Sequence, residues 1–595
     1  MKMISRRSFL KGSGATAVAL TAAACSSSSS STSTSTSTAT STTTDAVDYS
    51  ALLAEFDDVA ACIADWGNTF DATVNAVYTE ADLEYRVQLM HEAEDMVMNS
   101  HCIMPVYFYV DTYLLKDYVT GMINTVFGMK QYGYCENTNT PGMMNICLAS
   151  EPDYLDCRLS SSVDGGCMNT QLYAGLMGTA ADGSTVLNCA ESYEVSEDGY
   201  TYTFKLRDDL KWSDGEKLDA NDFVYSWNAA ASDETGADYG YLFTGIMAVA
   251  DDGTLPIAAS EDGLTFTVTL SAVCPYFLDL CAFPTFFPVP QKYVDAANAD
   301  GLTPGKWAEE APFVTNGPYT ITAWDHDVSI TLEKNEHFFG AADLKMDTLN
   351  FMLSDDDTAI YAAYNAGNID FAASVPVDEI AGLLESSEYH IDEYLGTYYV
   401  AANVNSPLFD AMTEQQACAC RKGISMMIDR PWICDTVGQS GQIPANCFVS
   451  AGCSDGNGGI FRTNTDTYTY PWSDDAGENL GYFDPYNIDY DAAFEYLAAA
   501  GLDVADGVVS GLGFEYLLNT NDAHQAIAEC IQQDMAVVGI EVTIASEEWA
   551  VFLETRKNGD YDIARNGWVM DYNDPVNELE MWLTASGNND IQFGK

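Results

Sequence analysis

The chain reads as an α/β protein, and three stretches of its 595 residues carry that reading. Tyr200 to Leu206 (YTYTFKL) alternates apolar and polar positions, the period of a half-buried strand. Leu83, Val87, Met90, Ala93 and Val97 recur at helical spacing, and the apolar, β-forming run Met104 to Val110 comes soon after them. A helix over 523–538 gives way through Gly539 to the strand Ile540 to Ile544 (IEVTI). Helices and strands that alternate in this way pack as layers of helix on sheet.

The first stretch continues into a well-specified corner. Trp212-Ser213-Asp214-Gly215 has the composition of a tight turn, with glycine free to take the unusual backbone angles. Asp219 can then cap a helix whose first turn carries Asp222. Phe223, Val224 and Trp227 give that helix an apolar stripe.

Composition narrows the function classes. Hydrophobic residues make up 47% of the chain, enough for two or more cores. The net charge of −65 repels phosphate backbones, so no nucleic acid is expected as a partner. At the start, Ser5-Arg6-Arg7-Ser8-Phe9-Leu10-Lys11 has the twin-arginine form. The apolar stretch Ala15 to Ala24 is too short to span a bilayer, so residues 1–24 read as a signal peptide. Ala22-Ala23-Ala24-Cys25 fits a lipobox, although the favoured leucine is absent. Cleavage before Cys25 and lipid attachment to its sulfur would make the bilayer a partner and place the protein on the outer face of the cell membrane. Ordinary cleavage after Ala24 is the other reading. Residues 25–48 form a linker, and Ser26 to Thr44 is almost wholly Ser and Thr. It cannot bury apolar surface and would reach roughly 60 Å when stretched.

Sixteen cysteines are many for an exported chain. With Cys25 lipidated an odd number remains. Cys274/Cys281 and Cys447/Cys453 are near enough in sequence to bridge, but Cys102 and Cys281 sit in apolar runs. Mostly reduced thiols are expected, behaving as small hydrophobes. Catalytic and metal patterns fail. Cys418-Ala419-Cys420 lacks a second ligand pair, and His91-Glu92 has no histidine at position 95. No G-x-S-x-G or P-loop sequence occurs. Asp455-Gly456-Asn457-Gly458-Gly459 lacks the later glutamate of a calcium loop and reads as a turn. No enzyme activity, cofactor or metal is expected.

Six segments share a further pattern. They are KLRDDLKWSDGEKLDANDFVYSW (205–227), SEPDYLDCRLSSSVDGGCMNTQLYAGLM (150–177), Asn316-Gly317-Pro318-Tyr319, GTYYVAANVNSPLFD (396–410), CRKGISMMIDRPWIC (420–434) and YDIARNGWVMDYNDP (561–575). Together they resemble the extracellular solute-binding proteins of ABC importers, in the branch that takes oligopeptides, dipeptides and nickel. The resemblance implies a class II periplasmic-binding-protein-like fold, with two lobes, a hinge and an extra subdomain. Its chain order is rearranged, because residues 49–134 resemble the family's C-terminal helices and strands. The expected chain is a circular permutant, joined through the loop-like CENTNTPG (135–142). Within it, 49–107 would belong to the second lobe and 108–134 to the first. Residues 143–181 and 309–395 complete the first lobe, 182–308 form the subdomain and 396–595 complete the second lobe.

The same resemblance implies a site. A receptor for many peptide sequences must grip the backbone, as strand addition does, and hold the ammonium on a carboxylate. Asp571 matches the residue that holds the ligand's amino end. Gly567, Val569 and Val163 would offer backbone, Trp549 and Trp568 would wall side-chain pockets, and Tyr239 and Tyr399 are further candidates. Arg556 and Arg565 would meet the ligand's carboxylate end, or else form salt bridges within an acidic shell. The expected function is capture of oligopeptides between two lobes by a monomer that delivers them to ABC permease subunits. The alternatives are another solute on the same fold, such as a nickel chelate or an oligosaccharide, or a surface sensing or adhesion protein that no longer transports.

Overall fold

Asp82 opens helix α1 (Leu83–Asn99) by accepting hydrogen bonds from the backbone N–H groups of Glu84 and Tyr85. Val87, Met90, Ala93 and Val97 are buried along one stripe of it, whereas Leu83 is half-buried. Strand β1 (Ile103–Leu115) follows and is longer than the apolar run alone suggests. The computed structural model of the chain describes residues 47–180, 184–299, 301, 303–464, 468–477 and 479–595. The signal segment, Cys25 and the Ser/Thr stretch lie outside the described residues.

Further along come strand β2 (Met143–Cys147) and helices α2 (Val163–Leu172) and α3 (Ala220–Ala230). The WSDG turn closes with the Gly215 N–H donating to the Trp212 carbonyl at 2.9 Å, at a Gly215 φ of 87°. Asp219 caps α3 in a reciprocal box with Asp222, whose carboxylate accepts from the Asp219 N–H at 2.8 Å. Phe223 and Trp227 are fully buried and Val224 only partly so. Beside α3 lies a four-stranded antiparallel sheet in the order Ile257–Ala259, Thr265–Thr269, Thr201–Leu206, Ala190–Val195.

The main sheet has 11 strands. Its later members are β3 (Tyr319–Asp325), β4 (Ser329–Lys334), β5 (Thr348–Met352), β6 (Phe371–Ala372), β7 (Tyr389–Ala402), β8 (Gly513–Asn519), β9 (Glu541–Glu547) and β10 (Ile563–Val569). The order is β3-β4-β5-β2-β6-β1-β7-β10-β8-β9, with the short strand Ile443–Pro444 pairing to β1. Strand β1, from the front of the chain, is therefore interior, antiparallel to both β6 and β7. Burial on its two faces explains its unbroken apolar run. Helix α4 (Asp522–Val537) is capped by Asn521 and leads through Gly539, at φ 86°, into β9. Helix α5 (Trp549–Asn558) precedes β10, and helix α6 (Val576–Glu580) follows it.

Residues Tyr49–Lys595 form one compact unit. The first half of β1 (Met104, Val106, Tyr107) packs in one cluster with Tyr398, Val400 and residues of α4. Its second half (Tyr113, Leu115) packs in another with Met144, Ile146 and Phe351. The largest cluster joins Trp66, Phe70 and Val87 to Trp227 and Phe266, and to Trp582 and Phe593. There the Trp66 indole donates to the Trp582 carbonyl at 2.9 Å and stacks on Phe593 at 4.0 Å. Arg86 of α1 forks onto Asp574 at 2.8 and 2.9 Å, with both side chains almost completely buried.

All fifteen described cysteines are buried and none is in a disulfide, so Cys274/Cys281 and Cys447/Cys453 do not bridge. Burial pushes the Cys102 thiol up to about 11 and the Cys135 thiol up to about 12. Asp455 accepts from the N–H groups of Asn457 and Gly459, which makes its loop a turn.

The Asn316–Tyr319 turn is locked by contact rather than by conformation alone. A Cβ on Gly317 would lie 2.5 Å from the Leu172 carbonyl carbon and from the Tyr173 nitrogen. Both are backbone atoms at the end of α2 and cannot swing away. Gly317→Ala is expected to cost about 1–3 kcal/mol, seen as a lower urea midpoint at unchanged slope. A midpoint equal to that of the parent chain would contradict this packing.

Candidate ligand-binding site

Strand β10 pairs with β7 along its whole length but with β8 only at Ile563 and Ala564. Asn566 to Val569 therefore lack a neighbouring strand on one side, and all four line a cavity of about 240 Å³. Other parts of the chain close around it. Val163 sits at the first turn of α2, which begins where the Ser162 hydroxyl accepts from the Gly165 N–H. Trp549, Arg556 and Lys557 come from α5, and Tyr239 comes from the loop before the 241–246 helix.

Nine of the ten ligand-binding residues expected from the sequence line this one cavity: Asp571, Gly567, Trp568, Val569, Val163, Trp549, Arg556, Arg565 and Tyr239. Tyr399 departs from that expectation. It is fully buried in the largest core cluster, edge-on to Phe448 at 5.3 Å and Trp582 at 6.1 Å. In β7 it pairs with Asn566, and its ring serves packing rather than the cavity wall.

Asp571 is one of the cavity's desolvated carboxyls, with Asp164. Its oxygens accept from the Tyr239 hydroxyl at 3.2 Å and the Asn577 amide at 3.0 Å, and no cation among the described residues pairs with it. The same Asn577 holds the Trp568 indole N–H and the Asp571 N–H, fixing the anchor to α6. Burial pushes the Asp571 carboxyl up to about 7, against the pull of its two hydrogen bonds.

The basic groups differ from one another. Arg565 stacks over Trp549 and Phe552, at 5.4 and 5.0 Å, and its Nε donates to Asn519 at 2.7 Å. It has no carboxylate partner among the described residues, and burial holds its guanidinium below the usual range. Arg556 reaches Asp590 at 3.3 Å and also contacts Asn566. Lys557 pairs with Asp238 at 2.5 Å, and Ser161 donates to the same carboxylate at 2.8 Å. That small network ties α5, the 235–240 loop and the 160–163 loop together over the cavity.

Residues that the sequence did not single out complete the lining. Asp164 Oδ2, Asn588 Nδ2 and Asp590 Oδ1 are buried without a protein hydrogen-bond partner, as are Trp549 Nε1 and Arg556 Nε. All five residues line the cavity. Buried polar atoms are paired in the great majority of cases, so this concentration makes the cavity the candidate site for a polar ligand. Asp164 had a local signal, since it follows Val163. Asn588 and Asp590 had none, because their place depends on how the chain returns past α5.

The comparison with known families bears on the whole arrangement. The model of the bacterial extracellular solute-binding proteins, family 5, matches residues 185–590. The chain belongs to this family. A twin-arginine translocation signal model matches residues 3–23, so the family 5 chain is exported. Oligopeptide-binding protein OppA of Bacillus subtilis is 30% identical over 464 residues, covering 75% of this chain and 78% of that protein. Dipeptide-binding protein DppE of the same organism is 31% identical over 411 residues, covering 67% and 69%. Among solved structures, Haemophilus influenzae OppA in complex with the peptide RPPGFSPFR superposes with a TM-score of 0.65 at 26% identity. It covers 76% of this chain and 84% of that one. The α/β binding-protein fold and the absence of enzymatic function follow from this membership. No helix among the described residues is long and apolar enough to cross a membrane.

Proposed function

We propose that this family 5 protein captures peptides in the cavity beside β10 and delivers them to the permease of an ABC importer. The observation that carries the reading is the charge pattern of the cavity. It holds a carboxyl without a cation, Asp571, and a guanidinium without a carboxylate, Arg565. A zwitterionic ligand supplies both missing partners, and the open side of Asn566 to Val569 supplies strand-type contacts to its amides. Gly567, Val569 and Val163 offer that backbone, while Trp549, Trp568 and Tyr239 border the ligand's side chains. Sugars and uncharged solutes lack the ammonium that Asp571 would pair with.

In this reading 49–107 with 396–595 form one lobe, and 108–181 with 309–395 form the other, while 182–308 are the subdomain. Strands β1 and β7 pass between the lobes, and closure over the ligand presents a surface to the permease. The front block 49–134 supplies an interior strand and the α1 helix to the body that follows, which supports a circular permutation joined at 135–142. Cys25 carries the lipid, and the Ser/Thr stretch is the tether. The test is to purify the chain from Asp45 onward, denature it and identify the released small molecules by mass spectrometry. Recovered short peptides are expected. Recovered sugars or a metal chelate would replace the ligand and keep the fold.

A further inference from the structure

Asp571 is a wall common to two cavities. The second encloses about 360 Å³ and shares Phe127, Met129, Phe283 and Pro284 with the first. Their chemistry differs. The first contains Arg556, Lys557 and Arg565 beside the carboxyls of Asp164, Asp571 and Asp590. The second contains two carboxyls, Asp279 and Asp571, and no Lys, Arg or His at all among the described residues. Thr125, Gln131, Thr179 and Asn573 add hydroxyl and amide groups to a lining whose other part is apolar, with Val126 and Ala282 beside the shared residues.

Asp279 lies in the short helix Phe277–Leu280 and is half-buried. Its carboxylate accepts from the Thr185 hydroxyl and has no cation within ion-pair distance among the described residues. Burial holds it above the usual carboxylate range. Because Asp571 lines both cavities, a ligand whose ammonium rests on it would carry its first side chain near where they meet. A neutral or acidic side chain directed into the second would leave Asp279 without a counter-charge. A lysine ammonium or an arginine guanidinium would pair with it, and the surrounding oxygens would accept the remaining N–H groups.

We infer that the second cavity is a specificity pocket for a cationic side chain on the ligand's first residue, with Asp279 as its counter-charge. The inference rests on the peptide-binding reading above. It is tested by calorimetric Kd values for tri- and pentapeptides led by Lys, Ala or Glu and otherwise made of alanine. The Lys-led peptides are expected to bind about tenfold more tightly than the Ala-led ones, with the Glu-led ones weakest. Asp279→Asn keeps the side-chain shape and should collapse the Lys-to-Ala ratio toward one, whereas Asp279→Glu should retain a preference. Equal affinity of Lys- and Ala-led peptides for the parent protein, or a ratio untouched by Asp279→Asn, overturns the pocket and leaves peptide binding standing. Failure of every peptide to bind overturns the peptide reading itself.

Discussion

Asp571→Asn should weaken a peptide with a free amino end by roughly 30-fold or more and barely affect its N-acetylated counterpart. Removing one partner of a buried, hydrogen-bonded charge pair costs about 2–5 kcal/mol. An asparagine keeps the shape of the side chain and an acceptor for the Tyr239 hydroxyl, so the fold should survive. The pH dependence has a definite sign. Burial raises the Asp571 carboxyl from 3.8 to about 7. In the ligand-free protein this group favours the fold below the unfolded value, and the contribution is lost as pH rises through about 7. Binding runs the other way, because an ammonium needs the ionised form. Affinity should therefore fall by up to about tenfold per pH unit below 7, with proton release on binding. Asp571→Asn should remove that slope and leave thermal stability at pH 8 unchanged or slightly higher. Equal losses for free and acetylated peptides would show that Asp571 does not hold the amino end.

Arg86→Ala should cost about 3–5 kcal/mol of stability, the effect expected when one member of a buried ion pair is removed. Asp574 would be left almost completely buried with no countercharge. The pair joins α1 to the segment just before α6, so the loss also measures how firmly the front block is held. Replacing both partners, as in Arg86→Met with Asp574→Leu, should recover most of the stability. Urea denaturation of the single and double variants beside the parent chain measures the difference. A small effect of the single substitution would mean that the front helices contribute little to the folded body.

Much of this architecture was legible because its signals are local. The Asp219 cap, the Gly539 break and the α1 stripe each depend on residues close to one another in the chain. The cavity wall was legible through resemblance, since Gly567 to Asp571 form one short motif. Tyr399 shows the limit of such reading. Consecutive residues of a strand point to opposite faces, and Tyr398 stacks on Tyr107 at 4.9 Å while Tyr399 meets Phe448 and Trp582. Both faces of β7 are packed at that point, which no spacing within 396–410 could reveal. Asn588, Asp590 and the Arg86–Asp574 pair escaped for a related reason. Each depends on partners brought in from distant parts of the sequence, and an isolated polar residue in so acidic a chain carries no mark of its partner.

The interior place of β1 has a consequence for the order of events during synthesis. The strand leaves the ribosome early, yet Tyr113 waits for Asp392, 279 residues later, and Arg86 waits for Asp574, 488 residues later. Until β7 exists, an apolar strand with no partner on that side must be kept from pairing elsewhere, the circumstance in which long-range sheets fold slowly and aggregate. The centre of the finished sheet is thus begun first and completed late.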